Sequence, residues 1–222
     1  MAFHIKTIMP ALITFWINSK LFKTIDLMIS NRARRRLNND HFTILCSNCI
    51  GGIIYHRLGK QFLSPTINMF IKEPDFVEFC LHLDHFLAQK IQFVSSDLPY
   101  PVGILPGNGS TIPSITLHFN HDKLPDMAEA NWEKRKKRIV KDNLFIMLYD
   151  LSGVTEEQLK QLETVPCRNK VVFTANSLPN IDWSFYIRPV KSHKYSYTYL
   201  EKDLFGVRYF EKKFDYVGFL NK

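Results

Sequence analysis

Cysteine is scarce in this chain. Four occur in 222 residues, at Cys46, Cys49, Cys80 and Cys167. They are too few and too scattered for a disulfide-built scaffold, so reduced thiols in a cytoplasmic compartment are expected. No second Cys-x-x-Cys pair exists to complete a four-cysteine zinc site, and neither a metal nor a cofactor is expected. A bilayer-spanning run is also missing. The apolar stretch from Ile8 to Ile17 is interrupted by Pro10 and Thr14, short of the roughly 20 residues a membrane helix needs. No small-residue cleavage site follows it, so it does not read as a signal peptide. Internal repeats and low-complexity tracts are absent. Acidic residues are nearly absent from the first 36 positions, where Asp26 alone faces Lys6, Lys20, Lys23, Arg32, Arg34, Arg35 and Arg36.

That imbalance leaves the remaining 186 residues close to neutral, since the arm holds +6 of the net +8. Residues 1–36 therefore read as a basic, amphipathic N-terminal arm of one or two helices, ending at the Arg32–Arg36 cluster. Such helices either pack on the domain or lie on an anionic membrane surface, which is the partner expected of a free basic arm. Nucleic acid is an unlikely partner, because the body offers no supporting basic, aromatic face. The expected location is cytoplasmic, peripheral at the inner face of the cell membrane. The body is residues 41–222, in a chain that is 45% hydrophobic overall and holds 18 phenylalanines. It is expected to fold as one aromatic-rich domain.

Its pattern alternates short apolar runs with helical stretches, the signature of an α/β layer fold. Phe42 to Cys46 reads as a buried strand and Cys49 to Leu58 as a helix. Thr66 to Ile71 reads as a second strand. Pro74 opens a helix expected to run past Leu87. Ile91 to Val94 is a strand. Tyr100–Leu105 and Ile115–Phe119 form a hairpin around Gly107-Asn108-Gly109-Ser110. Asp126 to Val140 is a charged helix, and Leu144 to Tyr149 a central strand. Thr155, with Gln158 three residues on, caps the next helix. Lys170 to Thr174 is a strand, followed by one strand near Tyr186 and one helix near Lys202.

The first chemical candidate is the strand–turn–helix junction Cys46-Ser47-Asn48-Cys49-Ile50-Gly51-Gly52. A cysteine at a helix N-terminus feels the positive end of the dipole and unpaired N–H groups, both of which favour thiolate. Gly51 and Gly52 would let a ligand approach the backbone. The bland alternative is a small buried thiol. The second candidate is His121, in His118-Phe119-Asn120-His121-Asp122 at a strand end, as general base for Cys49. The third is the helix around Trp132, where Arg135 falls beside the buried seam and could grip a phosphate, with Arg138 near it. The alternative there is a solvated rim. Asp150 should lie with Cys49 at the carboxyl ends of the strands, where open α/β sheets collect ligands.

The ordered set Phe42–Cys46, Asn48-Cys49, Gly51-Gly52, Tyr55, Leu58-Gly59, Ser64-Pro65-Thr66, Asp75-Phe76, Tyr100–Gly103, His121, Trp132, Arg135, Lys137-Arg138-Ile139, Asp142-Asn143 and Asn221 resembles a bacterial domain family of unknown function. Its members occur among capsule and surface-polysaccharide genes and carry the label of exopolysaccharide biosynthesis. The resemblance spans roughly residues 41 to 221 and leaves the arm outside. It implies a three-layer α/β/α sandwich with a mixed sheet. It also implies a transferase or modifying enzyme of exopolysaccharide, capsule or lipopolysaccharide assembly, acting on a sugar nucleotide or a lipid-linked saccharide. Asn48, Gly51, Gly52, Tyr55, Arg135 and Arg138 are then candidate substrate-binding residues, and Cys49, His121, Asp150 and Asn143 candidate catalytic ones. Two alternatives stand beside this reading. The chain order Cys49, His121, then Asn143 or Asp150 is that of papain-like cysteine hydrolases. A non-catalytic, membrane-associated assembly factor would use the arm alone.

Overall fold

A computed structural model describes residues 20–150, 153–187, 200, 202 and 207–222, leaving aside the side chains of residues 20–22 and of Asp150. The described chain divides into two compact units, one built from residues 20–38 with the C-terminal stretch to Asn221, the other from residues 39–187. Both helices and strands are present, as the alternation requires.

The larger unit carries two four-stranded sheets. The first contains β1 (Thr43–Cys46), β6 (Leu144–Asp150), β7 (Asn169–Thr174) and β8 (Ser184–Tyr186), in that order and all parallel. The second is antiparallel, in the order β2 (Phe70–Ile71), β5 (Ile115–His118), β4 (Val102–Leu105) and β3 (Gln92–Val94). Ser47 joins them. Its N–H extends the first ladder to the Met147 carbonyl at 3.1 Å, its own carbonyl accepts from Ile71 N–H at 3.0 Å, and its hydroxyl accepts from Tyr149 N–H at 3.0 Å. One buried serine thus turns two half-sheets into a mixed arrangement.

Why the parallel strands are continuously apolar follows from their cover. Every residue of β1 is buried, as parallel strands with two covered faces require. On one face, Leu45, Ile146, Leu148 and Val172 join a core with Phe76, Phe79, Leu159, Leu162 and Trp132. Those residues come from α3 (Glu73–Leu81), α6 (Glu156–Glu163) and α5 (Pro125–Lys136). On the other face, α2 (Ile50–Leu58) packs Tyr55 flat on Phe42 at 5.3 Å, and Phe42 meets Phe145 edge-on at 6.2 Å. Helix, sheet and helix make three layers. Gly51 and Gly52 serve this packing: a Cβ on Gly51 would stand 3.0 Å from the Cys46 Cβ, and one on Gly52 3.2 Å from Ile67 Cγ2.

The hairpin forms as expected, and α6 begins with the capping box of Thr155 and Gln158. Three elements differ from the sequence expectation. Thr66 to Asn68 lies in a turn, where Asn68 takes the left-handed conformation (φ 59°), and only Phe70–Ile71 pairs. The helix opened by Pro74 breaks at His82 (φ −120°, ψ 37°) and resumes as α4 (Leu83–Ala88). The charged helix stops at Lys136 instead of Val140, whose N–H is taken by the Thr43 hydroxyl at 2.8 Å. The helix expected near Lys202 falls mostly on residues outside those described. Lys202 itself bridges Arg208 in antiparallel fashion.

The smaller unit contains α1 (Lys20–Arg36), α7 (Tyr209–Lys213) and α8 (Tyr216–Leu220). Asn221 binds the end of α1 twice, accepting from Asn38 N–H at 2.8 Å and donating to the Arg36 carbonyl at 2.8 Å. Arg36 pairs with Asp215 at 2.6 Å, while the Asp215 carboxylate also caps α8 through Gly218 N–H. Burial would raise the Asp215 carboxyl, but the Gly218 amide and the Arg36 guanidinium outweigh it and hold it below its ordinary value. The second half of the expected arm is therefore tied to the C-terminal stretch. The apolar run from Ile8 to Ile17 lies outside the described residues. Among those described, no helix is long and apolar enough to cross a membrane.

Candidate active site

Strand β1 ends at Cys46, and the chain turns through Ser47 and Asn48 into α2. Cys49 stands immediately before the helix with helical dihedrals (φ −72°, ψ −6°) and does not cap it with its own side chain. Asn48 caps instead, its Oδ1 accepting from Ile50 N–H at 3.0 Å. The sulfur of Cys49 is left half-buried. Strand β5 ends at His118, and the short turn that follows, closed by Asp122 N–H on the Phe119 carbonyl at 3.0 Å, presents exposed Asn120 and His121. The two strand ends converge: Cys49 Sγ lies 3.3 Å from His121 Nε2. This is hydrogen-bond distance for a thiol and an imidazole, within the reach a nucleophile and its base require.

The electrostatics differ from the expectation of a thiolate. Burial pushes the Cys49 thiol above its ordinary value, and a hydrogen bond from the Asn120 side chain offsets this only in part. Burial pushes the Cys46 thiol up to about 12, with the nearby Asn48, Gly51 and Ile50 amides opposing it only in part. Cys46 is thus the buried, inert thiol, and its S–H also meets Asn48 Oδ1 at 3.4 Å. Burial thus favours the neutral thiol of Cys49 beside the imidazole, an arrangement that would allow proton transfer between them. Gly51 and Gly52, expected to let a ligand approach the backbone, are instead buried in packing.

Two further expectations are corrected. Asn143 lies at the other end of the sheet. Cys46 is in register with Met147, so Asn143, before the start of β6, is about 13 Å away at ~3.3 Å per residue. Its amide instead donates to Asn39 Oδ1 at 2.7 Å and to the His41 carbonyl at 2.6 Å. Tyr55 is sealed in the core, its hydroxyl donating to the Phe42 carbonyl at 2.7 Å and accepting from Ile44 N–H at 3.1 Å, so it cannot touch a substrate. Asp150 ends β6, in register with Thr174, on the carboxyl edge as expected. Its side chain lies outside those described.

Arg135 sits half-buried on α5, as its spacing from Trp132 suggests. Its Nη1 donates to the Ile67 carbonyl at 2.6 Å, which fixes the loop whose next residue, Asn68, sits over Gly52. Burial lowers its pKa, partly opposed by the Asp122 carboxylate. Asp122 is itself buried, one oxygen accepting from Asn131 Nδ2 at 2.7 Å and the other without a hydrogen-bond partner among the described residues. Arg135 and Asp122 brace the two loops that bring Cys49 and His121 together. Arg138 is half-buried one turn further on. Asn120 escaped the sequence reading because a polar residue in a turn carries no motif. Its only signal was its place directly before His121. Among the described residues, no group of histidine, cysteine and carboxylate side chains is arranged to hold a metal ion.

With this geometry in view, comparison with known proteins places the chain. A family described as a domain of unknown function (DUF1919) matches residues 20–221. The chain belongs to that family. A relative from Haemophilus influenzae, described as an uncharacterized protein, is 31% identical over 205 residues, covering 92% of this chain and 96% of the relative. The family match starts at the first residue of α1. Lys20–Arg36 is therefore part of the DUF1919 domain, where the sequence had placed it in an appended arm.

Proposed function

We propose that this DUF1919 protein is a transferase or modifying enzyme of bacterial surface-polysaccharide assembly, acting on a nucleotide- or lipid-linked sugar through a Cys49–His121 pair. The observation that carries the catalytic half is the 3.3 Å approach of Cys49 Sγ to His121 Nε2 at converging strand ends. The polysaccharide half is supported by the ordered motifs that resemble the exopolysaccharide-associated family. In this reading Cys49 attacks, His121 takes its proton, and Arg135 holds the loop beneath the site. The basic helix α1, with Leu27 and Met28 exposed beside exposed Arg34 and Arg35, is suited to an anionic lipid surface.

The test is genetic and chemical. Strains carrying Cys49→Ser or His121→Ala should make surface polysaccharide that lacks a substituent or a residue present in the parent, read by compositional analysis and NMR. Unchanged polysaccharide in both strains rejects the assignment. Hydrolysis is the second reading, favoured by the exposure of His121 to water, and turnover of a model ester with no added acceptor would select it.

A further inference from the structure

The smaller unit holds a cleft of about 370 Å³, a volume typical of small-ligand sites. One wall is the face of α1 that carries Ile29, Arg32 and Arg36, spaced i, i+3 and i+7 along the helix. The other is the C-terminal stretch from Glu211 to Val217. Both walls belong to the same compact unit. Four cations, Arg32, Arg36, Lys212 and Lys213, line the cleft against two carboxylates, Glu211 and Asp215.

The carboxylates are already engaged. Asp215 takes Arg36 at 2.6 Å and caps α8 through Gly218 N–H at 3.1 Å. Glu211 accepts from Arg208 N–H at 3.0 Å at the start of α7. Arg32 and Lys213 remain available. Both are exposed, and among the described residues neither forms an ion pair or a side-chain hydrogen bond. Lys213 stands over the Tyr209 ring, 5.8 Å from its centroid, a contact that leaves its charge uncompensated. A guanidinium and an ammonium lining one hollow, on two segments tied together by Arg36 and Asp215, match an oxyanion such as a phosphate.

A neighbour of the cleft selects among phosphates. Met28 is 66% exposed and stands one turn before Arg32 on the same side of α1, with exposed Arg35 also on that side. An exposed thioether flanked by two guanidinium groups suits the boundary between headgroup and acyl chain. A small soluble phosphate would leave it in water. Resting on the reading of α1 as a lipid-facing helix, we propose that this cleft binds the phosphate of an anionic phospholipid headgroup through Arg32 and Lys213. A general attraction between a basic helix and anionic lipid thereby becomes a seated contact on one face of α1.

Co-sedimentation of the full chain with phosphatidylcholine vesicles, with and without phosphatidylglycerol, tests the cleft. The opposite side of α1 supplies the control, because Lys23 and Arg34 are exposed there and nearly in line. Arg32→Ala with Lys213→Ala removes the same charge as Lys23→Ala with Arg34→Ala. The first pair should weaken binding to phosphatidylglycerol vesicles about 25-fold, or about fivefold for each cation at an anionic surface. The second should weaken it at most a few-fold, since a helix diameter of about 10 Å is already a Debye length. Equal losses in the two double variants overturn the cleft and leave the general lipid reading standing. A parent that ignores phosphatidylglycerol vesicles overturns that reading too. If such a parent binds glycerol phosphate in calorimetry and the Arg32→Ala, Lys213→Ala variant does not, the cleft belongs to a soluble phosphate ester and not to a lipid.

Discussion

The two ends of the parallel sheet use similar residues to opposite purposes. At the amino end, polar side chains are consumed by the fold. Asn143 binds Asn39 and the His41 carbonyl, Thr43 joins the Leu63 carbonyl to Val140 N–H, and Lys141 pairs with Asp84. A cavity of about 560 Å³ opens there between Leu83, His85, Leu144 and Val165, but its cysteine, Cys80, is sealed and pushed well up by burial. At the carboxyl end, Asn120 and His121 are exposed and face a half-buried thiol. Polar groups spent on loops stabilise; polar groups left facing solvent beside a nucleophile are available for chemistry.

Even within the carboxyl end the contrast repeats over three residues. Cys46 is buried, whereas Cys49 meets the imidazole and solvent. The largest expected effect exploits this difference. Because the folded Cys46 is raised to about 12, its contribution to stability is complete below the ordinary thiol range and is lost as pH climbs through that range toward 12. Denaturant midpoints measured from pH 8 to 11 should fall more steeply for the parent than for Cys46→Ala. Parallel slopes would show that Cys46 is not the titrating group.

A smaller effect belongs to the amino end. Asn143→Ala strips donors from the Asn39 side chain and the His41 carbonyl and should cost about 1–3 kcal/mol in urea unfolding, with the alkylation rate of Cys49 unchanged. Cys49→Ser should do the reverse, ending alkylation at that position while moving stability by less than about 1 kcal/mol. Should Asn143→Ala silence Cys49 without unfolding the protein, the division between the ends would be wrong.

Much of this was legible in the sequence because the signals are local. The apolar run Leu144–Tyr149, the Gly-Asn-Gly-Ser hairpin turn and the Thr155–Gln158 box each encode one element within a few residues. The meeting of Cys49 with His121 was legible because each follows a strand end. What escaped the reading depends on distant partners. Tyr55 looks like a site residue until the Phe42 carbonyl claims its hydroxyl. Val140 looks helical until Thr43 takes its amide. The basic helix reads as a packed helix or as a free arm until Asp215 and Asn221, almost the whole chain away, bind its end. Gly51 and Gly52 look like ligand cradles until the Cys46 and Ile67 side chains pack against them.

The most direct measurement is the rate of iodoacetamide labelling at each cysteine, mapped by peptide mass spectrometry across pH 6 to 10 in the parent and in His121→Ala. The account predicts that Cys49 is modified while Cys46 and Cys80 resist. It also predicts a Cys49 profile rising above the ordinary thiol range and a loss of about 10²-fold at neutral pH without the imidazole. Equal labelling of Cys46 and Cys49, or a Cys49 rate indifferent to His121, would contradict it.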